Sequence, residues 1–500
     1  MRMRVFHSLV LGVALPLFAC SSSSNGATTD GGTTPSHDAG DAKAKVDAGP
    51  DAHAHPDARS DGKVTQEATA ANGPCTGVVG KCIPILDGES ESDIITAFST
   101  ATANTTLAFA AGTFEFTNTI TLEGVAHLTV KGAGIDKTIL DFKNQTAGAD
   151  GLDADSSNQL TLFAFTVQNS KGNALKVVDS TDVIFEEVKA TWTDGSVTSN
   201  GPYGIYPVAV TNLLIENCVV SAASDSGIYV GQCQNAVVDG NEASGNVAGI
   251  EIENTWGAVV HDNNSHDNTA GILVFDLPNL PQQGGHDIRV YNNTVTSNNL
   301  KNFGANGDIV SSVPAGVGMF VMANHDVEVF GNTVTDSNTG GIAVVSYFIT
   351  QIAITDATYY PYPYDISVHD NTITGSGTMP DTSVQIGLLV AVYANTFPDM
   401  RGPDLFWDGV SDPMKMPDGG TMTNPQNICF QNNGASATFI DFNLPAFILY
   451  SNADGGVPAP PDGGLSNLPS IDSFNIAPFT CAGITAAPID AGPTFSDAGI

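Results

Sequence analysis

Two carboxylates stand two residues apart in "GIEIEN", residues 249–254. Ile250 and Ile252 alternate with Glu251 and Glu253, the period of a strand with one buried face. Both acids then project from one surface, roughly 6–7 Å apart at two residue rises. Such a pair can hold a cation, pass protons or stand hydrated. With Asp225 and Asp276, the two glutamates supply the all-oxygen ligand set that Ca²⁺ takes. A carboxylate pair also admits glycoside hydrolysis, in which one acid protonates and the other attacks or activates water.

The basic partner that lyase chemistry needs is scarce. Arg289 and Lys301 are the nearest basic residues in sequence. Arg289 falls on a different strand face, and Lys301 on an insertion that could reach. His261, His266 and His286 lie near Asp262 and Asp267, but their spacing matches no metal signature. The sequence has no phosphate-cradling glycine loop and no nucleophile elbow.

The elements that position the glutamates repeat. "GIYVGQCQNAVVDGNEASGNVA" (227–248) is followed by "GIEIENTWGAVVHDNNSHDNTA" (249–270), then by strands led by "GILVF", "GMFVM", "GIAVV" and "GLLVA". A unit of about 22 residues with two short alternating strands and Gly or Asn turns is a solenoid signature. One coil cannot bury its own apolar face, and stacking coils does. The prediction is an all-β parallel β-helix of roughly ten coils, about 50 Å long at the inter-strand spacing. Asn241, Asn263, Asn293, Asn332, Asn371 and Asn433 share one turn slot, which upstream holds Cys218, Val188 and Phe165. Stacked amides at one slot read as a structural ladder.

From about residue 83 to 450 the chain resembles the right-handed β-helix proteins of the pectin-lyase-like superfamily. "AAGTFEFTNTITLEGVAHLTVKGAGIDKTILDF" (110–142) is similar to that superfamily's first coils, and "ESDIITAFSTATA" (91–103) to its capping helix. Tyr203 to Tyr347 resembles a bacterial surface subgroup related to periplasmic copper-maturation factors and alginate epimerases. The resemblance implies the fold and leaves function open, because the fold hosts lyases, hydrolases, epimerases and non-enzymes. Alginate epimerases and lyases carry Tyr-Gly-x-Asp-Pro-His-Asp, with the Asp and His beside the abstracted proton. The matching stretch here is "YGIYPVA", with Tyr206 in the Asp position and Val208 in the His position.

Insertions mark a face. The span from leading Gly to the Asn slot is 14 residues for Gly227–Asn241 and Gly249–Asn263. It grows to 22 for Gly271–Asn293, 30 for Gly341–Asn371 and 46 for Gly387–Asn433. The preceding turn is also enlarged at 191–203, 299–317 and 375–386. All flank the sheet of Gly-led strands, which becomes the floor of a groove. Alternation puts Tyr206, Tyr229, Glu251, Glu253, Leu273, Phe275, Phe320 and Met322 on its outer surface, with Gln232, Asn254 and Asp276 at strand ends. Tyr206, Tyr229, Glu251, Glu253, Asn254 and Asp276 are the expected substrate contacts. "TYYPYPYD" (358–365) and "DLFWDG" (404–409) add aromatics that either stack on sugar rings or anchor the loops.

The chain has 53 acidic residues against 17 Lys and Arg, a formal net charge of −36. That excludes nucleic acid, whose affinity rests on neutralised phosphates, and disfavours a polyanionic sugar unless a cation bridges. "MRMRVFHSLVLGVALPLFAC" (1–20) has a basic start and a short apolar run, and resembles a bacterial lipoprotein signal with Cys20 as the lipidated residue. Residues 21–73 lack large apolar side chains and read as a disordered tether, and 486–500 repeat that style. The β-helix domain is then 74–485. Export permits disulfides, and Cys75–Cys82 and Cys429–Cys481 are candidate staples, with connectivity open.

The expected protein is therefore exported and membrane-anchored, periplasmic or at the cell surface. It binds polysaccharide in the groove. The alternatives are a Ca²⁺-dependent uronate lyase or C5-epimerase, and an accessory factor for a periplasmic metalloenzyme.

Overall fold

The computed structural model describes residues 73–394, 401–415, 424–442, 444 and 476–480. Cys20 and the expected signal, all but the last residue of the tether, Cys481 and the expected tail lie outside these residues.

Three parallel sheets of 12, 11 and 10 strands run along the described chain. The coil that holds the paired glutamates shows the plan: Ala248–Glu253, Trp256–His261 and Asn264–His266 each join a different sheet. We call these the floor, flank and short sheets. The sequence reading gave two strands per coil. The third is only three residues long, too short to display alternation. Corners turn on single left-handed residues, such as Asn254 at φ 47° and Asp262 at φ 55°. Asn and Asp adopt that conformation more readily than other side chains.

Stacking register is strict. Ile228, Ile250, Ile272, Met319 and Ile342 align across five floor strands, and all are buried in the interior core. The expected Asn ladder fixes this register. Asn263 Oδ1 accepts both the backbone N–H and the side-chain amide of Asn241, each at 2.9 Å. Asn263 in turn donates to Val238 O and Asn293 Oδ1, again at 2.9 Å. The chain of amides continues through Asn332, Asn371 and Asn433. A second ladder of Asn246, Asn268 and Asn298 runs beside it, which the sequence reading did not identify.

The open N-terminal end is covered by a helix, Glu91–Ser99, which buries Ile94 and Phe98. It is shorter than the expected 91–103. Ser90 caps it, and the Glu91 carboxylate accepts from the backbone N–H groups of Thr117 and Asn118, both at 2.8 Å. Cys75 and Cys82 form the expected disulfide. Cys429 is disulfide-bonded, and Cys481, its expected partner, lies outside the described residues. Cys218 and Cys233 are free and buried.

One Gly-led strand was misplaced. "GLLVA" at 387–391 belongs to a helix, Gln385–Ala394, and the floor strand of that coil is Leu405–Trp407. An unbroken apolar run has no period of its own. Here Ile386, Val390 and Ala394, four residues apart, are buried. Ile386 and Val390 join a second apolar cluster with Leu273, Phe275, Phe320, Met322 and residues of the 299–317 and 346–363 insertions. The insertions thus roof the apolar part of the floor.

Removing one rung tests the ladder. Asn263→Ala leaves the Asn241 N–H and amide without their acceptor, and is expected to cost on the order of 3 kcal/mol. The exposed neighbour change Asn264→Ala should stay within about 0.5 kcal/mol. Urea denaturation midpoints compare the two.

Candidate functional site

Because strands stack in register, outward side chains form columns along the floor. One column reads Asp153, Lys176, Tyr206, Tyr229, Glu251, Leu273, Phe320. The next reads Gly231, Glu253, Phe275, Met322. The surface therefore changes from charged to aromatic, then acidic, then apolar.

Tyr203, Tyr206 and Tyr229 form a cluster. Tyr203 and Tyr206 stack with centroids 4.4 Å apart, and Tyr206 and Tyr229 at 4.9 Å. Tyr203 and Tyr206 are half-buried, and Tyr229 is buried. Tyr229 lies back along its own strand over Gly231, where any Cβ would collide with its ring. That glycine lets the Tyr229 hydroxyl donate to Glu253, the register partner of Gly231.

The carboxylates are not exposed, as the sequence reading had them. Glu251 is 3% accessible, Glu253 and Asp225 7% each. The alternation was right, but alternation gives only the side of the strand, and inserted loops close over that side. Desolvation raises all three acids, and neighbouring charge adds to it: Asp308 acts on Asp225, Asp225 and Glu253 act on Glu251, and Asp225 and Asp276 act on Glu253. Asp225 is pushed up to about 7, opposed by a hydrogen bond from Tyr203. Glu253 is also pushed up to about 7, opposed by Tyr229. Glu251 is raised well above the ordinary carboxylate value, with no hydrogen bond to offset burial. Burial likewise raises Tyr206, to about 12. A carboxyl kept neutral near pH 7 can donate a hydrogen bond or a proton.

Two expected contacts have structural work instead. Asn254 is fully buried and clamps the base of the 277–285 insertion: its Oδ1 accepts from Leu277 N at 2.8 Å, and its amide donates to Leu277 O and Gln282 O. Asp276 closes the same loop, accepting from Gly285 N at 3.0 Å, while its carbonyl accepts the Tyr359 hydroxyl at 2.6 Å. Both strand-end side chains turn into the insertion here. Burial still raises Asp276 to about 6.

The aromatic loop anchors as well. Tyr359 is buried against Tyr347, Tyr360 donates to Asp412 at 2.8 Å, and Tyr364 stacks on His325. Phe406 and Trp407 belong to a floor strand, and both are buried. Arg289 pairs with Glu328 at 2.9 Å on the flank sheet, away from the floor. Lys301 is exposed and interacts with Asp381. Sequence reasoning missed Lys176, which lies 3.2 Å from Asp153 and 3.6 Å from Asp150. Its strand, "LKVV", has no leading glycine, so the Gly-led pattern does not mark it. Three strand steps, roughly 14 Å, separate it from Glu251.

The Ca²⁺ set does not assemble. Among the described residues, the group of three acidic or histidine ligands whose atoms all lie within 4.8 Å of one another is Asp239, His261 and Asp262. Asp225, Glu251, Glu253 and Asp276 form no such group, and Asp276 is engaged with its loop. The Asp239–His261–Asp262 group lies on the flank sheet and is accounted for by its internal pairing, at 2.7 and 3.3 Å from His261 Nδ1.

The family described as "Right handed beta helix region" matches residues 150–312 and 189–359. Those residues are the stacked coils just described. The chain is a right-handed parallel β-helix protein. Its expected likeness to the pectin-lyase-like superfamily holds at the level of fold. No curated protein matches the sequence. Among solved structures, this β-helix is similar to the A-module of the Azotobacter vinelandii mannuronan C-5 epimerase AlgE4, at 15% identity and TM-score 0.41, covering 67% of this chain and 90% of that one. It is also similar to a polygalacturonase from Erwinia carotovora ssp. carotovora, at 12% identity and TM-score 0.42, covering 60% and 93%. Endopolygalacturonase I of Stereum purpureum follows at 15% and 0.38, covering 59% and 95%. At these identities the activity of none transfers.

The raised carboxyls make stability pH-dependent. Each holds its proton more tightly folded than unfolded. Its contribution is whole below about pH 4, declines as pH rises, and is gone above about 7 for Asp225 and Glu253. Glu253→Gln mimics the neutral acid. Its melting temperature should match wild type at pH 5 and exceed it by a few degrees at pH 8. Equal differences at both pH values would count against a neutral Glu253.

Proposed function

We propose that the protein binds a polysaccharide on the floor sheet, along the column Asp153, Lys176, Tyr206 and Tyr229. The observation that supports this is the three-tyrosine cluster on adjacent coils, with Tyr203 and Tyr206 half-buried where the floor emerges from beneath the insertions. Aromatic bodies with polar tips suit sugars, whose C–H faces are apolar and whose hydroxyls stay wet. Lys176, Asp153 and Asp150 supply donors and acceptors beside them. Glu253 lies behind the tyrosines, its carboxyl raised by burial and held by the Tyr229 hydroxyl. A net charge of −36 favours an uncharged polymer over a uronate.

The binding reading is preferred to Ca²⁺-dependent lysis or epimerisation on two grounds. The acidic residues near the tyrosines form no cation cluster, and Tyr206 and Val208 stand where the epimerase acid–base pair would be. Localisation belongs to the same proposal. Lipidation at Cys20 would hold the binding domain at a membrane on the tether, facing the periplasm or the cell surface.

Retardation in native gels cast with neutral and acidic polysaccharides tests the binding. At least one neutral polymer should retard the soluble domain, with EDTA making no difference. Tyr206→Ala and Lys176→Ala should each weaken the interaction about tenfold. Retardation by uronates alone, dependent on Ca²⁺, would reverse the reading. For the anchor, cells fed labelled palmitate should label wild type but not Cys20→Ser. Equal labelling would remove Cys20 from the account.

A further inference from the structure

Beyond the tyrosines the floor passes under the insertions and meets a cavity of about 260 Å³. Leu273 and Phe320 form its base. Ile309 and Val313 from one insertion, Ile349 from a second and Ile386 from a third form its walls. Protein interiors seldom keep voids larger than a water molecule, because each leaves its lining without contacts. Three separate insertions converge here, contribute to one apolar cluster, and still leave this space open.

One titratable side chain lines it. Glu251 is 97% buried by its 3% accessibility, and it borders the cavity. No hydrogen bond offsets the burial of its carboxyl. A buried polar group without a partner is costly. A ligand that accepts a hydrogen bond from the carboxyl would relieve that cost. The space also has a size scale: an engineered cavity of roughly 150 Å³ with similar lining takes benzene.

We propose that this cavity is a binding site for a small, uncharged, mostly apolar molecule that carries one hydrogen-bond acceptor, with Glu251 as the donor that orients it. The site is distinct from the sugar-facing tyrosines, although Tyr229 and Glu251 are register partners. The apolar lining disfavours any charged ligand, and Asp225 and Glu253 nearby further disfavour an anion. The chemistry fits a ketone, ester or ether on one or two rings, or on a short chain.

The probe is N-phenyl-1-naphthylamine, which is neutral and fluoresces on entering apolar sites. Wild-type protein should show a saturable rise at one probe per chain. Val313→Trp fills the cavity from the loop side and should weaken binding at least tenfold. Ile309→Trp serves if that variant lacks a cooperative melt. Acetophenone should displace the probe about tenfold better than ethylbenzene, which lacks the acceptor. In Glu251→Met the two competitors should become equal. The proposal fails if wild type shows no saturable rise, if the filling variants bind undiminished, or if the competitor ratio survives Glu251→Met.

Discussion

A single coil of this chain has no inside. Ile250 and Ile252 become buried only when the coils on either side stack at the right height and in the right register. The asparagine ladders enforce that condition. Each rung closes only if the next amide is directly above it, so a slip of one residue would strand several buried donors at once. Hydrophobic burial supplies most of the driving force, and the amides supply the alignment.

The same register creates the site. Once coils align, every outward position becomes a column, and the sequence of side chains along a column becomes a surface. Lys176, Tyr206, Tyr229, Glu251 and Leu273 are far apart in sequence, yet they follow one another a strand apart. Insertions can then be added at corners without disturbing the stack, since corners rest on single left-handed residues. Here they fold back over the floor and build a second apolar cluster outside the coil interior. Glu251 and Glu253 lie at its edge. Closed off from water and near Asp225, they hold their protons more tightly than free carboxyls do.

Much of the fold was legible because it repeats. The Gly-led strands, the Asn slot and the outward positions of the two glutamates follow from period and alternation, and the register bears them out. What was not legible is whatever breaks the repeat. The three-residue strands carry too little pattern to read. "GLLVA" has the composition of a strand and lies in a helix, because its buried partners lie across the sheet rather than along it. Asn254 and Asp276 clamp loop bases, a role that only the loop's path reveals. The burial of the glutamates belongs to the same class. Lys176 is legible in the same terms, since its strand alternates and lies one coil upstream of Tyr206.

The central claim is that burial holds protons on the floor glutamates at pH values where free carboxyls are ionised. Infrared spectroscopy reads this directly, through the carbonyl stretch of protonated carboxyl groups. Between pH 6 and 9, wild type should lose a protonated-carboxyl band that is reduced in Glu253→Gln and reduced further in Glu251→Gln/Glu253→Gln. A wild-type spectrum with no such band at pH 6, and none that the substitutions alter, would contradict the account.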